Sequence, residues 1–165
     1  MFRRNLTAIG FILTCVLSAN SWANSFAQVS SRENQMAMST EPHDVRLEST
    51  DSTSGITNDN GVLTLSEDGH YFIIAAGQVG GAFAGSVKIW IRLNGEDVPN
   101  TNTEQSIADP SFTAVQVCQG VYQLKAGDKV SVAYSVTEPG LGLMVRNPPG
   151  EPVVPSMILS VVKLD

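Results

Sequence analysis

The sequence predicts an all-β domain, either a sandwich or a barrel, and three observations support that prediction. Short runs of Val, Ile and aromatic residues are separated at regular intervals by Gly, Asn, Asp and Pro, which is typical of many short strands joined by turns. Some of these runs alternate between apolar and polar residues, as a strand with one buried face does. No window of about ten residues shows helical periodicity.

The turns between the runs place the main strands along the chain. Extended stretches are predicted at Val62–Leu65, Tyr71–Val79, Val87–Leu93, Phe112–Leu124, Lys129–Val136 and Met157–Leu164. Asn94-Gly95 predicts a type I′ hairpin, because that turn needs positive φ at both central positions. Gln119-Gly120 interrupts a long extended stretch and predicts a bulge at which the side chains change faces.

The stretch Tyr71–Ala76 differs from the other strands because it does not alternate. Six uncharged and mostly large side chains follow one another, whereas a surface strand of a two-layer sandwich has only one face against the core. Such a strand needs protein on both faces. The sequence therefore predicts a domain that assembles with other subunits rather than a catalyst.

The N-terminus is predicted to be a secretory signal peptide over residues 1–23. Arg3 and Arg4 precede an apolar run of about a dozen residues, too short for a membrane span, and small residues then offer cleavage after residue 23 or 27. Cys15 would be discarded with this peptide. Residues 24–44 are rich in Ser, Thr, Gln, Glu and Asn and predict a flexible polar leader, so the folded domain is expected over residues 45–165.

The charge of the chain excludes some classes of partner. The net charge is −6, and it becomes −8 once the signal peptide is removed, because Arg3 and Arg4 leave and no acidic residue does. An acidic exported chain is a poor match for nucleic acid or for anionic lipid surfaces. No stretch after the signal peptide approaches the ~20 apolar residues of a membrane helix.

Catalytic chemistry finds little support in the sequence, so no catalytic residue is assigned. His70 is the only histidine in the predicted domain and lies at the start of a strand, where it could act as a general base but has no partner among its sequence neighbours. Cys118 is the only cysteine left after processing, and its valine neighbours favour a buried side chain over a reactive thiol. One His and one Cys do not make a zinc site.

Two binding chemistries remain open from the residues alone. The acidic pairs Glu67-Asp68 and Glu96-Asp97 lie in turns, where they could help to hold Ca²⁺ or could simply bond their own backbone. Trp90 could be a stacking platform for a sugar ring, and it shares its strand face with Lys88 and Arg92. These residues define one alternative function, a monomeric carbohydrate-binding β-sandwich. A small secreted hydrolase that uses His70 is another.

Several motifs resemble those of the C1q/TNF-like superfamily of jelly rolls. The stretch Gly120–Ser131, which reads GVYQLKAGDKVS, is similar to the strand–turn–strand signature of that superfamily. Gly69, Tyr71 and Ile73 match its G-x-Y-x-aliphatic pattern, and Leu93–Glu96 resembles its Asn-Gly hairpin. The matches follow in the right order over about residues 56–164, without the collagen stalk of many C1q proteins.

The resemblance implies a jelly-roll sandwich of about ten antiparallel strands that assembles as a homotrimer around a three-fold axis. Carried over residue by residue, Tyr71 and Ile73 would fill the subunit core. The side chains implied at the trimer interface are Phe72, Ile74, Val117, Tyr122, Val162 and Leu164. The leading hypothesis is a bacterial C1q-like domain, periplasmic or secreted, that serves as a non-enzymatic recognition module. Loops such as those at residues 99–110 and 139–155 would carry its ligand surface.

Overall fold

The structure is a computed structural model that describes residues 25–165. This part of the chain contains no helix, and it has ten strands of four or more residues together with four of two or three. The strands are β1 (Phe26–Ser31), β2 (Gln35–Met36), β3 (His43–Asp44), β4 (Ser49–Ser54), β5 (Ile56–Asp59), β6 (Val62–Leu65), β7 (Gly69–Gly81), β8 (Gly85–Leu93), β9 (Glu96–Asp97), β10 (Thr103–Ile107), β11 (Ala114–Leu124), β12 (Lys129–Val136), β13 (Leu141–Leu143) and β14 (Met157–Lys163).

The strands form two antiparallel sheets that pack face to face as a sandwich. The strand order of the front sheet is β4-β1-β14-β7-β11. Beyond the end of β14, the short strand β13 pairs with the same edge of β7, and β2 pairs with β13. The back sheet runs β5-β6-β12-β8-β10, with β3 beside β12 and β9 beside β8. The all-β prediction is confirmed. No helix among residues 25–165 is long and apolar enough to cross a membrane.

Alternating side chains of both sheets meet in one apolar core. Tyr71 and Ile73 of β7 are fully buried from the front, and Val130 and Val132 of β12 are fully buried from the back. Each fully buried side chain of this size contributes about 1.5–3 kcal/mol through removal of apolar surface from water. Strand β12 shows the alternation expected of a strand with one buried face, and the core role predicted for Tyr71 and Ile73 is confirmed.

The flexible leader predicted over residues 24–44 is wrong for the described part of that segment. Strand β1 lies inside the front sheet, between β14 and β4, and Val29 at its centre is fully buried. Ser30 is buried as well and donates a hydrogen bond to Asp51. The prediction from composition failed because composition does not show backbone pairing, and a polar strand can be ordered by pairing with a segment more than a hundred residues away.

The domain therefore begins by Ser25 rather than at Val45. The Gln35 side chain anchors the next segment, because its amide donates to the Arg46 carbonyl oxygen (2.9 Å) and accepts from the Arg46 N–H (2.8 Å). The predicted signal peptide over residues 1–23 lies outside the described residues. Cleavage after residue 27 would remove the first two residues of β1, whereas cleavage after residue 23 would leave the strand intact.

The bulge predicted at Gln119-Gly120 is absent. Strand β11 pairs with β7 in one continuous register, from Ala114 opposite Val79 to Leu124 opposite Gly69. A Cβ on Gly120 would overlap the Tyr122 ring. The glycine therefore makes room for a neighbouring aromatic ring on the same face of the strand.

The predicted Asn94-Gly95 hairpin is confirmed. Both residues have positive φ, 53° and 86°, and they join β8 to β9. The segment predicted as one polar loop from residue 99 to 110 is interrupted by β10, which pairs with β8.

Candidate functional site: an apolar face on the front sheet

The outer face of the front sheet, which points away from the core, carries an apolar row across four strands. Val121 of β11 lies opposite Phe72 of β7, Phe72 lies opposite Val162 of β14, and Val162 lies opposite Phe26 of β1. Side chains directly opposite one another on adjacent strands have Cβ atoms about 4.5–5.5 Å apart. The register thus makes one continuous apolar band from four separate parts of the chain.

Two further rows lie beside this band. One joins Gln119, Ile74 and Ser160, and the next joins Val117, Ala76 and Ile158. The most exposed apolar side chains of the face are Val115 (62%), Val117 (40%), Val121 (56%), Val162 (39%) and Leu164 (58%). We call this surface, from Phe26 across to Val121 and from Leu164 to Val115, the apolar face.

The polar groups of the apolar face are almost all uncharged. Gln119, Gln123 and Gln78 lie on its β11 and β7 strands and Gln28 on β1, and none is ionisable. Among the outward-facing residues of β7, β11 and β14, His70 at one end of the face is the only titratable one. Asp165 lies next to it. A contiguous exposed apolar surface of this kind marks an interaction site on a soluble protein.

Five of the six predicted interface residues do lie on this one face: Phe72, Ile74, Val117, Val162 and Leu164. Tyr122 does not, and that prediction is corrected. It lies opposite Tyr71 and packs against the core, because the strand has no bulge and the side chains do not change faces. Val121 takes the place predicted for Tyr122.

Sequence reasoning missed four other members of the face: Phe26, Val115, Val121 and Ile158. The alternation from Val115 to Val121 reveals two of them once the strand is taken to have no bulge. Phe26 could not be found, because the composition around it is that of a polar leader.

His70 has an acidic partner that its sequence neighbours did not reveal. Its Nδ1 lies 2.8 Å from Asp165 Oδ2, and its backbone N–H donates to Asp165 Oδ1 at 2.7 Å. The pKa of Asp165 is lowered, first by the side-chain and then by the backbone hydrogen bond from His70. Within residues 25–165 the ring forms no hydrogen bond to a hydroxyl or thiol group that could serve as a nucleophile. The pair fastens the end of the chain to the start of β7.

Trp90 offers no exposed ring to a sugar, so its predicted role as a stacking platform is wrong. The residue is only 6% exposed. Its Nε1–H donates to Asp97 Oδ1 at 2.6 Å, and the Arg92 guanidinium carbon lies 5.7 Å from the ring centroid. Arg92 also pairs with Asp97 and Asp44, both at 2.6 Å. The hydrogen bond from Arg92 lowers the pKa of Asp97 most, and the hydrogen bond from Trp90 lowers it further. These contacts make Trp90 part of the fold.

Three of the four carboxylates considered for calcium are bonded to protein groups. Glu67 pairs with Lys163 at 2.8 Å, Asp68 accepts the Ala126 N–H, and Asp97 binds Arg92. Residues 25–165 hold no cluster of three or more His, Cys, Asp or Glu side chains that could bind a metal ion.

Cys118 is 1% exposed on the core side of β11, and burial raises the pKa of its thiol to about 12. The thiolate is the form that attacks thiol reagents, and its population near pH 8 is smaller than for an ordinary cysteine by on the order of a thousandfold. We expect no reaction of native Cys118 with Ellman's reagent at pH 8, and full reaction in urea. A stoichiometric reaction of the native protein would contradict the buried position.

Comparison with known proteins supports the fold rather than a specific family. No family profile matches the chain, and no curated protein matches its sequence. Among solved structures, a crystal structure of murine APRIL at pH 5.0, a TNF-family jelly roll, superposes with a TM-score of 0.55. The superposition covers 86% of this chain and 99% of that chain, at 14% sequence identity.

The fold is a TNF-like jelly roll. At this level of identity the likeness shows the architecture alone. It supports the resemblance to the C1q/TNF-like superfamily at the level of the sandwich, and it does not single out a bacterial C1q-like domain.

Proposed function

We propose that this chain is an exported, non-enzymatic recognition domain that assembles as a homotrimer through the apolar face. The observation that carries the proposal is the in-register band of Val121, Phe72, Val162 and Phe26 on the side of the front sheet that faces away from the core. Further copies of the same chain are the simplest cover for it, since apolar surfaces that converge on a common axis remove one another from water.

The proposed number of copies rests on the resemblance to the C1q/TNF-like superfamily, whose members assemble around a three-fold axis. In a closed ring every copy turns the same faces toward the axis. Phe72 and Ile74 are already half-buried in the subunit, so burial of the rest of each side chain on association contributes less than the ~1.5–3 kcal/mol of full burial. Several such side chains together are needed to offset the free-energy cost of lost translational and rotational freedom on association, which is roughly 4–15 kcal/mol.

Export and the absence of catalysis are the other parts of the proposal. Residues 1–23 have the composition of a signal peptide, and removal after residue 23 leaves the whole of β1 for the sheet. His70 and Asp165 alone lack a nucleophile, so we propose that the pair holds the segment after β14 against the start of β7 rather than supporting chemistry.

The direct test of the proposal is the mass of the purified chain in solution. Light scattering coupled to gel filtration should give three times the subunit mass at micromolar concentration. A stable monomer at that concentration would overturn the homotrimer.

A further inference from the structure

Well-exposed large apolar side chains fall into two groups, and self-assembly accounts for only one of them. Ten such side chains occur in residues 25–165, and five of them belong to the apolar face. Val62 stands alone on the back sheet. The remaining four lie in loops at one end of the sandwich: Met38 (88%), Phe83 (55%), Phe112 (43%) and Val153 (40%).

The loops that carry these four side chains meet around the Val79–Gly81 end of β7. We call this surface the loop end and define it as residues 37–42, 82–84, 108–113, 137–140 and 144–156. Phe83 follows β7 directly, and its ring lies over Gly140, where a Cβ would come within 2.9 Å of it. The Gly140 N–H donates to the Ala37 carbonyl oxygen at 2.8 Å, which places Met38 beside the same turn.

The other two loops reach the same end from the front sheet. The Phe112 carbonyl oxygen lies 3.3 Å from the position of a Cβ on Gly80, and the Met144 N–H donates to the Gln78 carbonyl oxygen at 2.7 Å. Val153 lies in the hairpin closed by the pairing of Arg146 with Val154. Four separate loops that carry exposed apolar side chains thus meet at one end of the sandwich.

Hydrogen bonds order the backbone of the loop end, which carries the exposed apolar side chains. The Ala82 N–H donates to the Gly140 carbonyl oxygen (3.1 Å), and the Val154 N–H to the Arg146 carbonyl oxygen (2.9 Å). A partner that docks here has little backbone to order on binding, which lowers the free-energy cost of association.

The charge of the loop end indicates the chemistry of the partner. Its loops carry four exposed acidic side chains, Glu41, Asp109, Glu138 and Glu151, and one basic side chain, Arg146. Hydrogen bonds from the Ser111 side chain and backbone lower the pKa of Asp109 and keep it ionised. An apolar centre with an acidic rim is complementary to apolar groups flanked by positive charge.

We propose that the loop end is a docking surface for a basic protein that presents exposed apolar side chains. The acidic rim would attract such a partner and set its orientation, and Phe83, Phe112 and Met38 would supply the buried contacts. The same acidic rim opposes docking on an anionic lipid surface. This surface adjoins the apolar face at Gln78 but shares no residue with it, so the proposal does not depend on self-assembly.

The probe for this proposal is a fluorescently labelled synthetic peptide of alternating lysine and leucine, titrated with the chain and followed by anisotropy. We expect it to bind, with an affinity that falls as salt is added. The double variant Phe83→Ser, Phe112→Ser should weaken binding at least about tenfold, as loss of apolar anchors does. Glu138→Lys should also weaken it. Val62→Ser, which removes the isolated exposed valine of the back sheet, is the matched control and should bind as the wild type does.

Two further titrations separate docking at the loop end from self-assembly and from membrane binding. The same titration with Val121→Asp, which disrupts the apolar face, should still show binding, so failure of self-assembly and failure of docking are distinguishable. The proposal is overturned if the peptide does not bind, if a glutamate–leucine peptide binds equally well, or if the phenylalanine double variant binds as tightly as wild type. Binding to phosphatidylcholine vesicles in place of the peptide would overturn it in favour of a membrane surface.

Discussion

Val121→Asp should convert the assembled protein into a folded monomer. Val121 is 56% exposed on a single chain, so the subunit fold tolerates a carboxylate there. The same position lies at the β11 end of the apolar band, opposite Phe72, and in the trimer the carboxylate would be buried without a partner. Loss of an apolar anchor and burial of an unpaired charge cost about 2–4 kcal/mol or more at an interface. Light scattering should therefore report one subunit mass, with an unchanged β-sheet circular dichroism spectrum.

The matched control is Val62→Asp, because Val62 is also an exposed valine on a strand but belongs to the back sheet. It should leave the assembled mass unchanged. Phe72→Asp and Ile74→Asp address the same face, but both side chains are half-buried in the subunit, so aggregation there would be harder to interpret. The apolar face would lose its assigned role if Val121→Asp kept the wild-type mass, or if Val62→Asp dissociated the assembly as well.

Val29→Asp should abolish folding or remove more than about 4 kcal/mol from the free energy of unfolding, because an unpaired carboxylate would be buried in the core. Val29 is fully buried in β1, where the composition predicted a flexible leader. Val29→Ala keeps the test quantitative if the aspartate variant does not fold. It should cost about 2 kcal/mol in urea unfolding, from lost apolar burial and the cavity left behind.

Gln28→Ala provides the comparison at the neighbouring position, where the side chain points out of the sandwich. It should change the free energy of unfolding by no more than about 0.5 kcal/mol. All these unfolding measurements are best made in the Val121→Asp background, so that subunit dissociation does not contribute. If Val29→Ala were as mild as Gln28→Ala, β1 would not be part of the cooperative fold.

Local sequence patterns were reliable where the signal lay within one strand or one turn. The alternation of β12 and the positive φ of Asn94 and Gly95 are decided by residues close in the chain. The opposite faces of Tyr71 and Ile73 and of Phe72 and Ile74 were predicted from the resemblance to the C1q/TNF-like superfamily, because the Tyr71–Ala76 stretch has no alternation of its own.

Patterns failed where a distant segment decided the outcome. Residues 26–31 read as polar leader, yet pairing with β14 and β4 satisfies their backbone groups and buries Val29. Gly120 read as a bulge, yet the continuous pairing of β11 with β7 keeps the register and leaves space for the Tyr122 ring. Trp90 was predicted to be an exposed stacking platform, yet Asp97 accepts a hydrogen bond from its indole N–H and Arg92 lies over its ring. In each case the deciding contact involves side chains or strands that periodicity and composition do not register.

The sequence by itself determined that this chain is an all-β domain, because side-chain alternation and turn chemistry are local properties, and the uninterrupted large side chains of Tyr71–Ala76 predicted cover on both faces of that strand. Only the tertiary structure decided which residues share that second face. Val121, Phe72, Val162 and Phe26 come from four strands, and their alignment depends on the pairing register of the front sheet. A register shift of one residue would turn every one of these side chains to the opposite face, so the apolar face exists only once the sheet is assembled.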